Sequence, residues 1–235
     1  MNETYNLKAI IIKRAAFREA DLKVTLYSPE KGKLELIARG AKKTKSKMAG
    51  HLEPFCFSEI MVISGRQLEY IGAAVNIFSF CRLKDDLEKL AWAGKAFKIF
   101  DKLVKENEPD EKVFSLLLEF LNVLDKGKKI QLKLVFNLFI FKLLNEMGYQ
   151  PELYCCLACQ KRVLPRGNRI DFNYGGLICP KCRISSKDAK AISEDCIKLF
   201  RLASQKKLND LPAVKINTKL EAELAAGISS FLETF

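Results

Sequence analysis

Two Cys-x-x-Cys pairs constrain this chain more than any other feature of its sequence. Cys156 and Cys159 form the first pair, Cys179 and Cys182 form the second, and 19 residues separate them. Each pair places two thiols on one tight turn, and two such turns together supply the four ligands of a tetrahedral zinc site. The spacing therefore predicts that this segment folds around one structural Zn²⁺ ion, with the Gly175-Gly176 bend bringing the two pairs together.

The predicted site is closed, because four thiolates fill a tetrahedral ion and leave no position for a water molecule or a substrate. We therefore expect the metal to hold the fold of its segment rather than to catalyse a reaction. Cys155 stands directly before Cys156 and could replace it as a ligand, although its spacing to Cys159 is less regular. The other three cysteines are predicted to be core residues: Cys56, Cys81 and Cys196.

The first 80 residues predict a small β-barrel. Five short apolar or alternating runs follow one another with turn residues between them: residues 7–12, 24–27, 34–38, 55–63 and 68–75. Such runs are typical of strands, and Pro29 to Gly32 have the turn chemistry of a hairpin. Five strands suit an OB-fold, but periodicity alone does not separate that fold from an SH3-like barrel.

A run of positive charge, residues 39–47, lies between the third and fourth predicted strands. It contains five basic side chains and no acidic one: Arg39, Lys42, Lys43, Lys45 and Lys47. On a barrel this run suits nucleic acid, because lysines follow phosphates while aromatic faces accept unstacked bases. The alternative interpretation is a solvated flexible loop.

Other residues could extend this surface. The aromatic residues of the neighbouring predicted strands could accept bases or belong to the core: Tyr27, Phe55, Phe57 and Tyr70. Three further basic residues could enlarge the positive patch: Lys13, Arg14 and Arg18. The formal net charge of +12 also favours a polyanionic partner.

Beyond residue 80 the apolar residues recur at helical spacing. Helices are predicted over about residues 83–104, 113–124 and 129–147 and, after the cysteine-rich segment, from caps at Ser193 and Thr218. The C-terminal helices need another apolar surface to pack against, and the earlier helices are the nearest part of the sequence that offers one.

The predicted fold is therefore α+β with four segments. Residues 1–80 form the barrel, residues 81–150 the first part of a helical domain, residues 151–190 the zinc-binding insert, and residues 191–235 the C-terminal helices. No apolar stretch approaches the roughly 20 residues that a membrane span needs, and from the first residues we expect no secretory signal. We expect a cytoplasmic protein without membrane contact.

The enzymatic alternatives are few, because the chain has one histidine. His51-Leu52-Glu53 has the His-x-Glu form of zinc deaminases, but that signature needs a proline where Ile178 stands. The sequence has neither a phosphate-binding Gly-Lys-Ser/Thr loop nor a Gly-x-Ser-x-Gly elbow. We therefore predict a protein that is not an enzyme. The alternatives are a zinc-containing RNA-binding protein and, less favoured, a zinc-dependent nucleic-acid enzyme that uses Glu53.

Several segments, taken in order, resemble the RecO family of bacterial DNA repair proteins. In the N-terminal part the resemblance rests on these segments: residues 8–12, 19–21, 27–33, 38–43 with Ser46, and 52–55. Downstream it rests on Gly148-Tyr149, Pro151 and Leu153 before the first cysteine pair, and on residues 175–179 leading into the second. The first pair is followed by Gln160, where the family pattern has glycine.

The resemblance implies an N-terminal OB-fold, a helical domain with a zinc insert, and no catalytic centre. It also implies binding of single- and double-stranded DNA, annealing of complementary strands, cooperation with RecR and with single-stranded-DNA-binding protein, and loading of the RecA recombinase. It places the protein in the cytoplasm, at the nucleoid during repair. Carried onto this chain, it makes the five basic residues of the 39–47 run the DNA-binding candidates and the two cysteine pairs the zinc ligands.

Overall fold

The structure, a computed structural model, describes residues 3–127, 131–164, 166–185 and 188–234. They divide into two compact units, with the division between Lys126 and Gly127. The described part of the first unit holds a five-stranded barrel, three α-helices and a 3-10 helix (Ala49–Leu52), and that of the second holds three α-helices, a small sheet and two 3-10 helices (Pro180–Ser185 and Leu208–Ala213). The predicted α+β class is confirmed.

The barrel closes in the order β1-β2-β3-β5-β4. Its strands are β1 (Thr4–Ala16), β2 (Leu22–Ser28), β3 (Gly32–Ala38), β4 (Phe57–Ser64) and β5 (Glu69–Phe78). All neighbours are antiparallel except β3 and β5, which meet in a short parallel contact at Ile37 and Tyr70. A five-stranded barrel of this order is the predicted OB-fold.

Strand β1 is longer than its apolar run predicted, because its two halves pair with different strands. Residues 4–10 pair with β4, and residues 10–16 pair with β2. Its second half contains the exposed side chains of Lys13 and Arg14, so the apolar pattern that predicted the strand stops before the strand ends. Inside the barrel, apolar side chains from all five strands form one core, including the fully buried Val24, Leu26 and Leu36.

Three helices complete the first unit: α1 (Cys81–Lys84), α2 (Leu87–Leu103) and α3 (Glu111–Lys126). The helix predicted from residue 83 is divided, because the Asp86 carboxylate accepts hydrogen bonds from the backbone N–H groups of Glu88 and Lys89 and so starts α2. Asp110 caps α3 in the same way.

Aromatic contacts join α2 and α3 to the barrel. Tyr27 meets Phe100 edge to face at 5.2 Å between ring centroids, Phe55 meets Phe97 at 4.7 Å, and Phe57 meets Phe114 at 5.8 Å. These contacts explain why the division between the units lies inside the 81–150 segment, which the sequence assigned to the helical domain. The first helices find their apolar partner on the barrel.

The second unit contains helices α4 (Leu132–Glu146), α5 (Glu194–Gln205) and α6 (Thr218–Leu232), together with strands β6 (Arg169–Asp171), β7 (Gly176–Ile178) and β8 (Lys190–Ala191). The three strands form an antiparallel sheet of order β7-β6-β8. Residues 128–130, where the helix ending at 147 was predicted to begin, lie outside the described residues. Among the described residues, no helix combines the length and apolar character needed to cross a bilayer.

The C-terminal helices pack through aromatic side chains within their own unit. Phe200 of α5 contacts Phe141 of α4, and Phe172 stacks on Phe231 of α6, both at 4.7 Å between ring centroids. Ser193 caps α5 as predicted. The predicted cap at Thr218 is wrong by one residue, since the Asn217 side chain accepts the hydrogen bond from the Leu220 N–H.

Candidate metal centre and nucleic-acid interface

The two cysteine pairs come together in the second unit. One Sγ atom from each of Cys156, Cys159, Cys179 and Cys182 lies within 4.8 Å of all the others, and the Sγ atoms of Cys159 and Cys179 are 4.0 Å apart. In a tetrahedron with Zn–S bonds of about 2.3 Å, sulfur atoms are about 3.8 Å apart. The cluster thus has the size and donor chemistry of a four-thiolate zinc site.

Backbone hydrogen bonds hold the two pairs together. Glu152, before the first pair, donates its N–H to the Gly175 carbonyl at 2.7 Å and accepts one from Leu177 at 2.9 Å. Leu157, inside the first pair, donates to the Leu177 carbonyl at 2.9 Å. The Cys179 N–H lies 3.3 Å from the Cys156 Sγ atom. The segment around Gly176 therefore positions the second pair against the first, as the Gly175-Gly176 bend predicted.

Cys155 does not belong to this group of sulfur atoms. Its backbone forms a bridge with Arg162, and its N–H donates to the Glu152 carboxylate at 2.9 Å. Cys156, by contrast, is fully buried within the cluster. The geometry thus selects Cys156 over Cys155.

The thiols of the cluster interact with one another. Burial raises the pKa of Cys156, but hydrogen bonds from the backbone N–H groups of Cys179, Cys159 and Ala158 outweigh burial and lower the pKa to about 6. Hydrogen bonds with the Cys179 and Cys159 side chains raise the pKa of Cys182 to about 12. The site therefore favours a negative charge at Cys156, which a cation would stabilise.

Gly176 is the position where the fold of this segment is most sensitive. Its φ is +157°, and an added Cβ would lie 2.3 Å from the Glu152 carbonyl oxygen. Gly176→Ala is therefore expected to break the contact between the two cysteine-bearing segments. We expect zinc affinity to fall by about tenfold or more, because a cost of about 2 kcal/mol in the folded insert appears in the binding free energy. Competition with a chromophoric chelator measures this loss.

Gly175→Asn is the matched control for that substitution. Gly175 also has positive φ, +88°, but an added Cβ would have no atom within 4 Å, and asparagine tolerates positive φ. Its zinc affinity should stay close to that of the unchanged chain. Equal losses in both variants would contradict the role assigned to the close approach at Gly176.

The three cysteines outside the insert were predicted to be core residues. Cys56 and Cys196 are buried, as expected, whereas Cys81 is exposed at the start of α1. The prediction for Cys81 is wrong because its helix ends after Lys84 and points this side chain to solvent rather than into a helical core.

The basic run of residues 39–47, here called the basic loop, is connected to the barrel by a buried side chain and by hydrogen bonds. Ala41 is buried in the barrel core with Leu52. The Gly40 N–H donates to the Asp21 carboxylate at 2.8 Å, and turns are closed by Lys43 N–H to the Gly40 carbonyl and by Ser46 N–H to the Lys43 carbonyl. The first part of the loop is therefore attached to the barrel, and two turns shape its backbone.

All five basic side chains of this loop are exposed: Arg39, Lys42, Lys43, Lys45 and Lys47. Within the described ranges, none of them forms an ion pair with a carboxylate. Arg39 lies over the Tyr70 ring, 3.8 Å from its centroid, which fixes the position of its charge. The loop thus presents uncompensated positive charge on the barrel.

The other residues considered for this surface fall into two groups. Tyr27 and Phe55 are buried, and Phe57 packs on Phe114, so these rings belong to the interior. Lys13 and Arg14 are neutralised by Asp101 and Glu53 at 2.5 and 3.1 Å. Arg18 has no such carboxylate partner among the described residues and lies beside an exposed aromatic residue, Phe17, which no sequence pattern had indicated.

His51 and Glu53 of the His-x-Glu segment form contacts within the first unit. His51 and Glu53 belong to the first unit, whereas the four clustered cysteines belong to the second. The Glu53 carboxylate contacts Arg14 at 3.1 Å and Lys84 at 3.9 Å, and the His51 carbonyl accepts a hydrogen bond from Ser58. These contacts give both residues a structural role in the turn before β4.

Two family models match the chain and together span nearly all of it. Residues 1–80 match the model described as Recombination protein O N terminal, and residues 84–234 match the model described as Recombination protein O C terminal. The boundary between the two matches follows the end of the barrel.

Curated proteins are similar over the same length. A DNA repair protein RecO from Desulforamulus reducens is 32% identical over 233 residues, covering 98% of this chain and 89% of that protein. A protein of the same name from a Roseiflexus species is 33% identical, covering 98% and 81%. One from Dehalococcoides mccartyi is 32% identical, covering 95% and 87%. The similarity therefore extends over both units.

Proposed function

The chain belongs to the RecO family of DNA repair proteins, and from that membership we propose that it is a recombination mediator. It binds single- and double-stranded DNA, anneals complementary strands and helps to load the RecA recombinase onto strands coated with single-stranded-DNA-binding protein. RecR and single-stranded-DNA-binding protein are its proposed partners, and the nucleoid is its proposed place of action. It carries out no bond-making chemistry.

The observation that carries this proposal is the fixed, exposed and unpaired charge of the basic loop. Arg39 and the loop lysines project from a barrel that holds their backbone by hydrogen bonds. Cations in this arrangement release counterions from a phosphate backbone, which favours binding of any sequence. We propose that these five side chains are the DNA-binding residues: Arg39, Lys42, Lys43, Lys45 and Lys47.

Annealing follows from the same electrostatics. Two complementary strands repel each other through their phosphates, and a cationic surface that binds both reduces this repulsion while the base edges stay available for pairing. The reaction needs neither a nucleophile nor a nucleotide cofactor. Remodelling of coated strands is a competition for the same phosphates.

The four clustered cysteines are the proposed ligands of one Zn²⁺ ion. When bound, the ion supplies four strong bonds that join the turn at Cys156 and Cys159 to the turn at Cys179 and Cys182. The sulfur separations fit this ion, and all four positions are filled by protein. The proposed role of the metal is therefore structural.

A strand-annealing assay tests the proposed function. Complementary labelled oligomers, bare or coated with single-stranded-DNA-binding protein, are mixed with the protein across a salt series without nucleotide. We expect faster annealing of both substrates, with a rate that falls steeply as salt rises. Competition with RNA oligomers of the same sequence separates this function from RNA binding: DNA should displace RNA. No acceleration at low salt, or preferential RNA binding, would contradict the proposal.

A further inference from the structure

Phe17 lies in the β1–β2 loop (residues 17–21) with 41% of its surface exposed. A short hydrogen-bonded turn presents it, since the Phe17 N–H donates to the Asp21 carbonyl at 3.2 Å. The Arg18 guanidinium lies 5.1 Å from the centre of its ring. An exposed ring beside an arginine can bind a flat, negatively charged ligand: the flat part stacks on the ring, and the guanidinium contacts the negative charge.

The β1–β2 loop is fastened to the basic loop by three hydrogen bonds. The Lys42 N–H donates to the Ala20 carbonyl at 2.9 Å, the Lys42 Nζ atom reaches the Arg18 carbonyl at 3.5 Å, and the Gly40 N–H donates to the Asp21 carboxylate at 2.8 Å. Phe17 and the lysines therefore belong to one continuous surface whose parts keep a fixed relation. A DNA strand whose phosphate contacts Lys42 would therefore lie close to the β1–β2 loop that carries Phe17.

We propose that Phe17 is a stacking platform for an unpaired base, and that it gives this surface a preference for single-stranded over double-stranded DNA. The inference rests on the proposed function of the basic loop. Every base has a flat face, so stacking is tolerant of sequence, but in a duplex those faces are already stacked on one another. The lysines contact the phosphates of both single- and double-stranded DNA, whereas Phe17 stacks only on bases of a single strand.

Substitution of Phe17 separates these contributions. Phe17→Ala should weaken binding to an oligo(dT) strand by about fivefold or more, the amount that one base–aromatic stack contributes. It should leave binding to a blunt duplex, and the salt dependence of both, unchanged, because no charge is altered. Since the ring is exposed, the thermal unfolding midpoint should also stay the same. Fluorescence anisotropy titrations of the two DNA forms measure this difference.

Phe78→Ala is the matched control, because Phe78 is 43% exposed in the same unit but lies at the end of β5 and not beside the basic loop. It should not change the ratio of single-strand to duplex affinity. In a Trp92→Phe background, Phe17→Trp should retain the affinity, and its fluorescence should be quenched by oligo(dT) but not by the duplex.

The outcomes distinguish this inference from the proposed function. One outcome is that charge reversal of the loop lysines abolishes binding while Phe17→Ala binds oligo(dT) as tightly as the unchanged protein. In that case the stacking role of Phe17 is wrong, but the basic loop remains the proposed DNA-binding surface. Equal losses on both DNA forms would also overturn the stacking role. If lysine reversal has no effect, the DNA surface itself is misplaced.

Discussion

Cys156→Ser is expected to abolish zinc binding and to unfold the cysteine-rich insert, whereas Cys155→Ser, one residue away, is expected to leave both intact. The reason is geometric: the Cys156 Sγ atom belongs to the cluster of four sulfur atoms, and that of Cys155 does not. Zinc contributes about 10–16 kcal/mol in small zinc-folded peptides, so its loss should strongly destabilise the two cysteine-bearing turns that it would join. The metal content of the two purified variants measures the difference directly.

Hydrogen exchange shows where the loss of metal acts. After chelation of the unchanged protein, the amides of Glu152, Leu157 and Leu177 should lose their protection, because their hydrogen bonds connect the two segments that the metal would join. Amides of the barrel strands should keep theirs, since the barrel has a core of its own. Full protection of the insert after complete metal removal, or loss of zinc in Cys155→Ser, would contradict the assigned ligand set.

Reversal of the four loop lysines to glutamate is expected to weaken binding to every DNA sequence by about a hundredfold or more at 0.1 M salt. Each phosphate contact contributes a counterion-release term to the affinity, and the substitution of Lys42, Lys43, Lys45 and Lys47 removes four such contacts and adds repulsion. The side chains are exposed, so the fold should be unaffected. Anisotropy titrations with oligomers of unrelated sequence measure the change.

A second set of four lysines in the same unit provides the control: Lys95, Lys98, Lys102 and Lys112 are all exposed. Their reversal alters the formal charge of the chain by the same amount but leaves the basic loop intact. We expect a loss of a few-fold, from the weaker long-range attraction alone. If both sets weakened binding equally, net charge and not the loop would account for the affinity.

The cluster of four cysteines was predictable because the sequence pattern that forms it is local. Two Cys-x-x-Cys turns specify their own geometry, and any fold that brings them together completes the same tetrahedron. The choice between Cys155 and Cys156 needed the structure, since it depends on which side chain faces Cys179 after the backbone of Glu152 pairs with Gly176. Spacing alone carries no information about that pairing.

The positive charge of the barrel surface was predictable from the sequence, but the identity of its exposed aromatic residue was not. The sequence identifies a run of lysines without acids, and exposure follows from their chemistry. It does not say which ring is exposed, because Tyr27 and Phe55 have the same local pattern as a platform residue and are buried by α2 only in the folded unit. Phe17 was missed because no apolar periodicity surrounds it. An isolated phenylalanine next to Arg18, in a turn between two strands, was the only available signal.

Helix boundaries also depended on contacts that periodicity does not encode. The apolar stripe from residue 83 continues across Asp85 and Asp86, yet the Asp86 side chain starts a new helix there. The same applies to the assignment of α2 and α3, whose apolar faces fit either the barrel or other helices. Ring contacts with Tyr27, Phe55 and Phe57 show that both helices pack against the barrel.

The dependence of single-strand affinity on salt is the most direct test of the proposed DNA-binding surface. Five phosphate contacts give a slope of log affinity against log salt concentration of about −3.5, and replacement of the four loop lysines by glutamine, which leaves only Arg39, should reduce it to about −0.7. A slope that stays the same after these replacements would show that DNA binds elsewhere on the protein.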